Sequence, residues 1–339
     1  MTPEQPPTFG GIDDWRGQYN TVSGPEKIEA RQRVYWLAVE TDETVDGLKR
    51  VDLELETLIA LQQAGVSNKA TIVDIGCSFP NFLQLWKLHN HHGRLIGIEP
   101  NSKQLGSLAF WQPSEAGAGD KESYVLKPGV TKKGFEGIEL YEAWADSLPL
   151  SSGEADVTTM MFMMYHVPKD LQLKALQEAK RIQKPQHGIF ALATRGKNNK
   201  AELRQVETAI SEELSRLRGE TVVAPPPVNS GFTSENAAVI LPEVYEYVYA
   251  YQHRADLVMN SPVGAAIINR AVWSLLDKYV TIDGQPPTEE QFSSAVMHVL
   301  RRRFLAASAG QVALKDVLDE SLFVASDSPL DLPSKFVQL

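Results

Sequence analysis

Two acidic residues in the first hundred positions of the chain follow short apolar runs, where a strand would end. Asp74 and Gly76 lie in TIVDIGCSFPNF, whose first half has the β-branched composition of a strand buried on both faces of a parallel sheet. Glu99 lies in RLIGIEPNSKQL, 25 residues after Asp74 (74 to 99). A ribose-binding acid follows the first strand of a nucleotide-binding sheet by about 20 residues. The spacing therefore predicts that Glu99 accepts hydrogen bonds from ribose hydroxyls.

The turn after Asp74 narrows the choice of ligand, because a dinucleotide needs the glycine pattern G-x-G-x-x-G to approach its pyrophosphate. The matching positions here are Gly76, Ser78 and Asn81, so the pattern fails at two of three places. This failure disfavours an NAD-dependent dehydrogenase. S-adenosylmethionine has no phosphate, and its loop needs one acid and one close backbone approach. Asp74 and Gly76 can supply both.

Strand-like and helix-like segments alternate from about residue 71 to residue 196. The runs ATIVDIG, RLIGIEP, IELYEAW, ADVTTMMFMM and GIFALATRG have strand composition, and helical patterns separate several of them. A helical pattern also precedes them, over about 26–64. This order is typical of an α/β fold with an open, doubly wound, mostly parallel sheet. Ligands of such sheets bind in the crevice outside the carboxyl ends of the strands.

The same pattern divides the chain into four expected regions. An N-terminal arm with helices covers 1–65, and the cofactor-binding core covers 66–198. A helical cap for the substrate, with a late strand, covers 199–318, and the last strand and tail cover 319–339. Alternating tyrosines in the cap, together with an aromatic residue of a later helical segment, are expected to line an acceptor pocket: Tyr245, Tyr247, Tyr249, Tyr251 and Trp273.

Five stretches in the expected order resemble the motifs of class I S-adenosylmethionine-dependent methyltransferases of the small-molecule type. They are VDIGCSFPNF, LIGIEPNSKQL, EAWADSLPLSSGEADVTTMMFMMYHV, ALQEAKRIQKPQHGIFALATRG and the pair FTSENAAVIL with SLFVAS. The resemblance covers roughly residues 73–326. It implies a seven-stranded Rossmann-like sheet, with S-adenosylmethionine as cofactor and S-adenosylhomocysteine as product.

The resemblance also implies roles for individual residues. Glu99 would hold the ribose, and His166, after the fourth strand, would be the catalytic general base for a hydroxyl. The remaining expected cofactor contacts are Asp74, Gly76, Ser78, Pro100, Asn101, Asp146, Ser147 and Met161. Structural alternatives stay open, since Asp74 could cap a helix and His166 could be a hydrogen-bonded loop residue. On the N-terminal arm, Tyr19, Arg33 and Trp36 could close over the cofactor.

The loop departs from the family at two glycine positions, which are Ser78 and Pro80 in this chain. Proline fixes φ near −65° and has no N–H. Cofactor binding is expected to survive if neither position is needed as a donor or at positive φ. The departure leaves a second hypothesis open, in which the protein is a non-catalytic, methyltransferase-like cofactor-binding or partner subunit.

Composition limits the expected partners. The formal net charge is −10, which disfavours nucleic acid because a binder of phosphate backbones needs a basic surface. An RNA or protein methyltransferase is disfavoured for the same reason. The chain has one cysteine and no long apolar run, so a cytoplasmic protein without a membrane partner is expected. A small apolar or aromatic acceptor is expected, with O-methylation first and N- or C-methylation as alternatives, and a homodimer is compatible with the sequence.

No metal site is expected. The run HNHHG contains His89, His91 and His92, but no cysteine or carboxylate cluster completes a ligand set. Its place between a helix and Gly93 assigns it to a turn at the end of the sheet away from the cofactor.

Overall fold

The computed structural model describes residues 53–78, 80–101, 137–199, 201–224, 231–259, 280–281, 284–306 and 314–339. The helices within these ranges are α1 (Leu53–Gln63), α2 (Asn81–Leu88), α3 (Lys169–Ile182), α4 (Ala201–Arg218), α5 (Ser234–Ile240) and α6 (Glu289–Ala306). Two short 3₁₀ helices span Met164–His166 and Leu241–Glu243.

Eight strands of the described chain form one sheet in the order β3-β2-β1-β4-β5-β9-β7-β10. The parallel strands are β1 (Ile72–Ile75), β2 (Leu95–Ile98), β3 (Ile138–Tyr141), β4 (Val157–Met161) and β5 (Ile189–Arg195). Antiparallel pairings add β9 (Leu314–Ser326), β7 (Tyr247–Met259) and β10 (Val337–Gln338). The predicted mostly parallel α/β sheet is confirmed; the two-residue β10 extends it at one edge. The strands β6 (Val222–Val223) and β8 (Val280–Thr281) form a separate small pair.

Both faces of the sheet are covered, which explains why β1 and β2 are buried at every position. One face packs against α1 and α2, with Leu58, Leu61 and Trp86 at its centre. The other face packs against α3 and α5, with Leu176 and Ala237 in its core. The apolar residues of these helices recur at helical spacing, so each helix buries one side on the sheet.

One face of the sheet carries polar residues at the carboxyl ends of its central strands. Asp74 of β1 pairs in register with Thr159 of β4. Arg195 ends β5 and pairs with Glu320 of β9, which in turn pairs with His253 of β7. Side chains two residues apart on a strand share a face. The sheet therefore presents these groups on the face that also packs against α1.

The strands β7 and β9 continue beyond the end of β5 and carry the cap region. Their pairing extends past His253 and Glu320 to Met259 and Leu314. Next to them α4 packs on α6 through buried apolar residues, among them Ile210 of α4. The strand β9 begins at Leu314, which is before residue 319, the position at which the sequence pattern places the start of the final strand.

The tyrosine cluster expected to line an acceptor pocket lies elsewhere. Tyr245 is buried and stacks on Phe190, with ring centroids 5.3 Å apart. Tyr247 pairs with Ser326, which pairs with Ile189 at the amino end of β5. The alternation places Tyr247, Tyr249 and Tyr251 on one face, where they pack into the core with the C-terminal tail. The pocket expectation was wrong for these residues, because β5 and β7 are both antiparallel to β9, so β7 runs in the same direction as β5 and begins at the amino end of the sheet.

Candidate active site

The turn after β1 is closed around Gly76. The N–H groups of Gly76 and Cys77 both donate to the carbonyl oxygen of Ile98, at 2.7 and 3.0 Å. Gly76 has a φ of 71°, and a Cβ there would lie 2.8 Å from the side chain of Met163. Both the conformation and the space therefore require glycine. The close approach at Gly76 is that of the Met163 side chain, and the cofactor contact of Gly76 stays a prediction.

Ser78 adopts the conformation that a glycine would take. Its φ is 48°, and its N–H donates to Oε2 of Glu99 at 3.0 Å. Pro80 has a φ of −75°, which proline accommodates without strain. Pro80 is thus neither a donor nor at positive φ, as cofactor binding was expected to require. Ser78 is both a donor and at positive φ. The serine keeps the loop shape at a cost of roughly 1–2 kcal/mol for a left-handed residue.

Glu99 is buried directly after β2, and its side chain links the loop after β1 to the loop after β2. Its Oε1 accepts the N–H of Asn101 at 3.0 Å, while Oε2 accepts the N–H of Ser78. Burial raises its pKa to about 7, and the two N–H donors offset part of that rise. An ionised carboxylate has about four acceptor positions, so two remain for hydroxyl donors such as those of a ribose.

Asp74 is buried beside Glu99. Its Oδ1 accepts a hydrogen bond from the Thr159 hydroxyl at 2.7 Å. Burial raises the pKa of Asp74 to about 7; the Thr159 bond lowers it, and the negative charges of Glu54 and Glu99 raise it further. Two buried acids that are about half protonated at neutral pH gain stability from a cation or from hydroxyl donors. Strong perturbation of this kind in a crevice is typical of a functional site.

The expected adenine contacts lie on the loop after β3. Asp146 is buried, and its carboxylate lies 3.5 Å from Nζ of Lys174 on α3. Ser147 is exposed, and its N–H donates to the carbonyl oxygen of Trp144 at 3.0 Å. Pro100 is half-buried between Glu99 and Asn101. These residues flank the acid pair along the sheet edge, and their adenine contacts stay predictions.

The predicted base lies on a turn that touches the glycine loop. His166 ends the 3₁₀ helix Met164–His166, and its N–H donates to the carbonyl oxygen of Met163 at 2.8 Å. Met163 is the residue whose side chain lies against Gly76. The His166 ring also packs against Tyr165, with centroids 4.5 Å apart. The cofactor loop and the candidate base are thus neighbours. Met161 is half-buried at the end of β4, two residues after Thr159 on the same face.

Sequence reasoning missed several residues that complete the edge: Thr159, Met163, Phe162, Tyr165 and Arg195. Thr159 could have been found from the two-residue period of β4, because it shares a face with Met161. Arg195 could also have been found, because a charged residue at the end of an otherwise apolar, buried strand is unusual and indicates a specific role. Four residues of the earlier expectations, Tyr19, Arg33, Trp36 and Trp273, lie outside the described residues.

The histidine-rich turn before β2 is partly structural. His91 is buried; its Nε2 lies 2.9 Å from the carbonyl oxygen of Ala70, and its ring packs on Trp86. Burial lowers its pKa. Across the described ranges, no group of three or more His, Cys, Asp or Glu residues could hold a metal ion.

A family model described as a methyltransferase domain matches residues 73–192. Residues 73–192 form a methyltransferase domain. The match begins in β1 and ends in β5, so it includes Asp74, Gly76, Glu99, Asp146 and His166. This part of the chain is similar to methyltransferases, and the match implies S-adenosylmethionine as the cofactor of the site.

Several solved structures are similar to the chain at low sequence identity. The YcgJ protein of Bacillus subtilis is 15% identical with a TM-score of 0.47; the match covers 82% of this chain and 99% of that one. A SAM-dependent methyltransferase from Aquifex aeolicus is 15% identical with a TM-score of 0.38, and the match covers 63% and 87% of the two chains. No curated protein matches the chain significantly. None of the described helices is long and apolar enough to cross a membrane.

The chemistry of the crevice fits the cofactor. S-adenosylmethionine carries a ribose with hydroxyl donors, an ammonium and a sulfonium, and the described loop offers two buried carboxyls, Asp74 and Glu99. Bound there, the cofactor supplies a methyl group that is already activated by its positive sulfur, so the protein's task is alignment and exclusion of water.

Proposed function

We propose that the protein methylates an oxygen of a small, apolar or aromatic acceptor, with His166 as the general base. The proposal rests on one observation: Met163 contacts both the cofactor loop at Gly76 and the turn that carries His166. Its side chain lies against Gly76 of the cofactor loop, and its carbonyl oxygen accepts the N–H of His166. An acceptor beside His166 would therefore lie next to the cofactor loop.

In this proposal, Glu99 accepts hydrogen bonds from the ribose, and Asp74 stabilises the positive end of the cofactor. His166 accepts the proton of the acceptor hydroxyl as the new carbon–oxygen bond forms. Met161, Met163 and the rings of Phe162 and Tyr165 form the apolar surface next to it. Methionine side chains adapt to irregular apolar ligands, which suits a small-molecule acceptor.

The test begins with calorimetric titration of the full chain with S-adenosylmethionine and S-adenosylhomocysteine. Asp74→Asn and Glu99→Gln should each weaken binding about tenfold or more, because each removes a buried charged acceptor. Glu142→Gln, at an exposed residue of the loop after β3, is the matched control and should bind as the wild type does. Absence of binding by folded wild-type protein would favour the non-catalytic partner-subunit hypothesis.

Transfer is then measured with methyl-labelled cofactor and a panel of phenols, amines and carbon acids. His166→Gln should bind the cofactor normally and lose about 100-fold or more of the transfer rate to phenols. Normal transfer by this variant would reject His166 as the base. Transfer to amines or carbon acids alone would replace O-methylation by one of those reactions.

A further inference from the structure

A row of three ionisable residues at the end of β5 lies beside the cofactor crevice and has no role in the proposal above. Arg195, Glu320 and His253 stand in register across β5, β9 and β7. Their side chains are withdrawn from solvent: that of Arg195 is 14% exposed, that of Glu320 is 4% exposed, and His253 is buried. Charged groups are costly to bury, so the burial of Arg195 and Glu320 at the ligand edge of the sheet calls for an explanation.

The guanidinium of Arg195 lies between two aromatic rings. Its Cζ is 5.5 Å from the ring centroid of Phe162 and 5.4 Å from that of Tyr165. Both distances are within the range of cation–π attraction. Nε of Arg195 is 3.8 Å from Oε1 of Glu320, which is longer than a hydrogen bond. The rings orient the guanidinium plane, and Glu320 compensates its charge without a hydrogen bond between these two atoms.

The backbone at Phe162 is held in an unfavourable conformation. Its φ is 55°, in the left-handed region that bulky residues rarely adopt, while its N–H donates to the carbonyl oxygen of Ala193 at 2.8 Å. Such conformations cost about 1–3 kcal/mol and cluster at functional sites. Here the strained residue is the one that places a ring against Arg195.

We infer that Arg195 binds a carboxylate of the acceptor, so the substrate is an aromatic or apolar acid. Arginine donates two parallel hydrogen bonds to a carboxylate, and flanking rings provide an apolar surface for the rest of the molecule. The Tyr165 ring contacts both Arg195 and His166. One aromatic ring thus separates the anion site from the candidate base, which suits a small molecule with its acid and its hydroxyl at opposite ends. The inference rests on the proposed function and specifies its substrate class.

The test compares two ligands of equal shape and different charge, 4-hydroxybenzoate and 4-hydroxybenzamide. Each is titrated into the full chain saturated with S-adenosylhomocysteine, and binding is followed by ligand-observed NMR. Wild-type protein should bind the acid about tenfold more tightly than the amide, since a charged hydrogen-bond pair is lost with the amide. Arg195→Gln should remove this preference and leave amide binding within about twofold. Arg195→Lys should keep part of it, because it retains the charge and loses the paired donors.

Arg254→Gln is the control, because it removes an exposed arginine one register position further along β7. It should bind both ligands as the wild type does. Equal affinity of wild-type protein for acid and amide, failure to bind either, or an equal loss of both in Arg195→Gln would overturn the inference. Titration of each variant with S-adenosylhomocysteine alone shows that it is folded. Wild-type protein that fails this first titration would reject the proposed function itself, whereas normal cofactor binding without an acid preference would reject only the role of Arg195.

Discussion

At the scale of single residues, Ser78 shows how a loop can lose a glycine and keep its shape. The residue holds a φ of 48° while its N–H reaches Glu99, so the backbone conformation survives the change of side chain. Ser78→Gly should therefore bind S-adenosylmethionine within about threefold of the wild type. Ser78→Val should weaken it about tenfold or more, because a β-branched residue strongly disfavours this region. Calorimetric titration of the two variants measures both effects, and equal affinities would show that the conformation of residue 78 is not required.

Ionisation of the buried Asp74 lowers the unfolding free energy of the protein, and a role in cofactor binding would explain why an acid is kept at this position. Its pKa is about 7 in the folded protein, above the ordinary value of 3.8, so the folded state retains the proton over that interval. The associated stability is present below about pH 4 and is lost as the pH rises through 7. Relative to wild type, Asp74→Asn should therefore gain unfolding free energy as the pH is raised from 5 to 8, by about 2–3 kcal/mol. Urea denaturation at both pH values measures the difference, with Glu142→Gln as control; a difference that does not change with pH would contradict the assigned cause.

At the scale of elements, local composition predicted the central strands well and the late strands poorly. The runs IVDI and LIGI are apolar throughout because β1 and β2 are covered on both faces. The tyrosines of β7 alternate as a strand should, but alternation does not reveal which end of the sheet a residue reaches. That end is decided by the antiparallel pairing of β7 with β9, whose partners are distant in sequence.

The start of α4 depends on such a distant partner. Asp316 of β9 is buried, and its Oδ1 accepts the N–H of Glu202 at 3.2 Å and that of Val317 at 2.9 Å. Asp316→Ala should lower the unfolding free energy by about 1–2 kcal/mol, because it removes an acceptor for the first turn of the helix. Asp170→Ala, at an exposed acid in the first turn of α3, should change it by less than about 0.5 kcal/mol. Denaturant titration of both variants makes the comparison, and similar losses would show that Asp316 does not act as a cap.

At the scale of the whole molecule, the site is assembled from strand ends that only the sheet order brings together. Sequence motifs single out Asp74, Gly76 and Glu99 as candidates, because each lies in the last residues of a strand or directly after it. They were insufficient for Arg195, whose importance depends on Phe162 and Tyr165 of the neighbouring connection. Motifs report on one strand and its turn, whereas an acceptor site at this edge is shared among several strands.

The buried acids should also couple cofactor binding to the stability of the whole protein. The pKa values of Asp74 and Glu99 are both about 7, so a cationic ligand beside them favours the deprotonated forms and releases protons as it binds. The affinity for S-adenosylmethionine should therefore rise between pH 6 and pH 8, by up to about tenfold per pH unit for each proton released. At a fixed cofactor concentration, the increase in Tm should be larger at pH 8 than at pH 6.

S-adenosylhomocysteine isolates the contribution of the sulfonium to this coupling, because it retains the ribose and the ammonium and lacks the sulfonium charge. Its stabilising effect should increase less with pH than that of S-adenosylmethionine, and the difference should shrink in Asp74→Asn, which cannot ionise at that position. Calorimetry in two buffers of different ionisation enthalpy counts the protons released. Equal pH dependence for the two ligands would assign the coupling to the ribose and the ammonium, which both ligands carry, and a complete absence of proton release would mean that neither buried acid changes its ionisation when the cofactor binds.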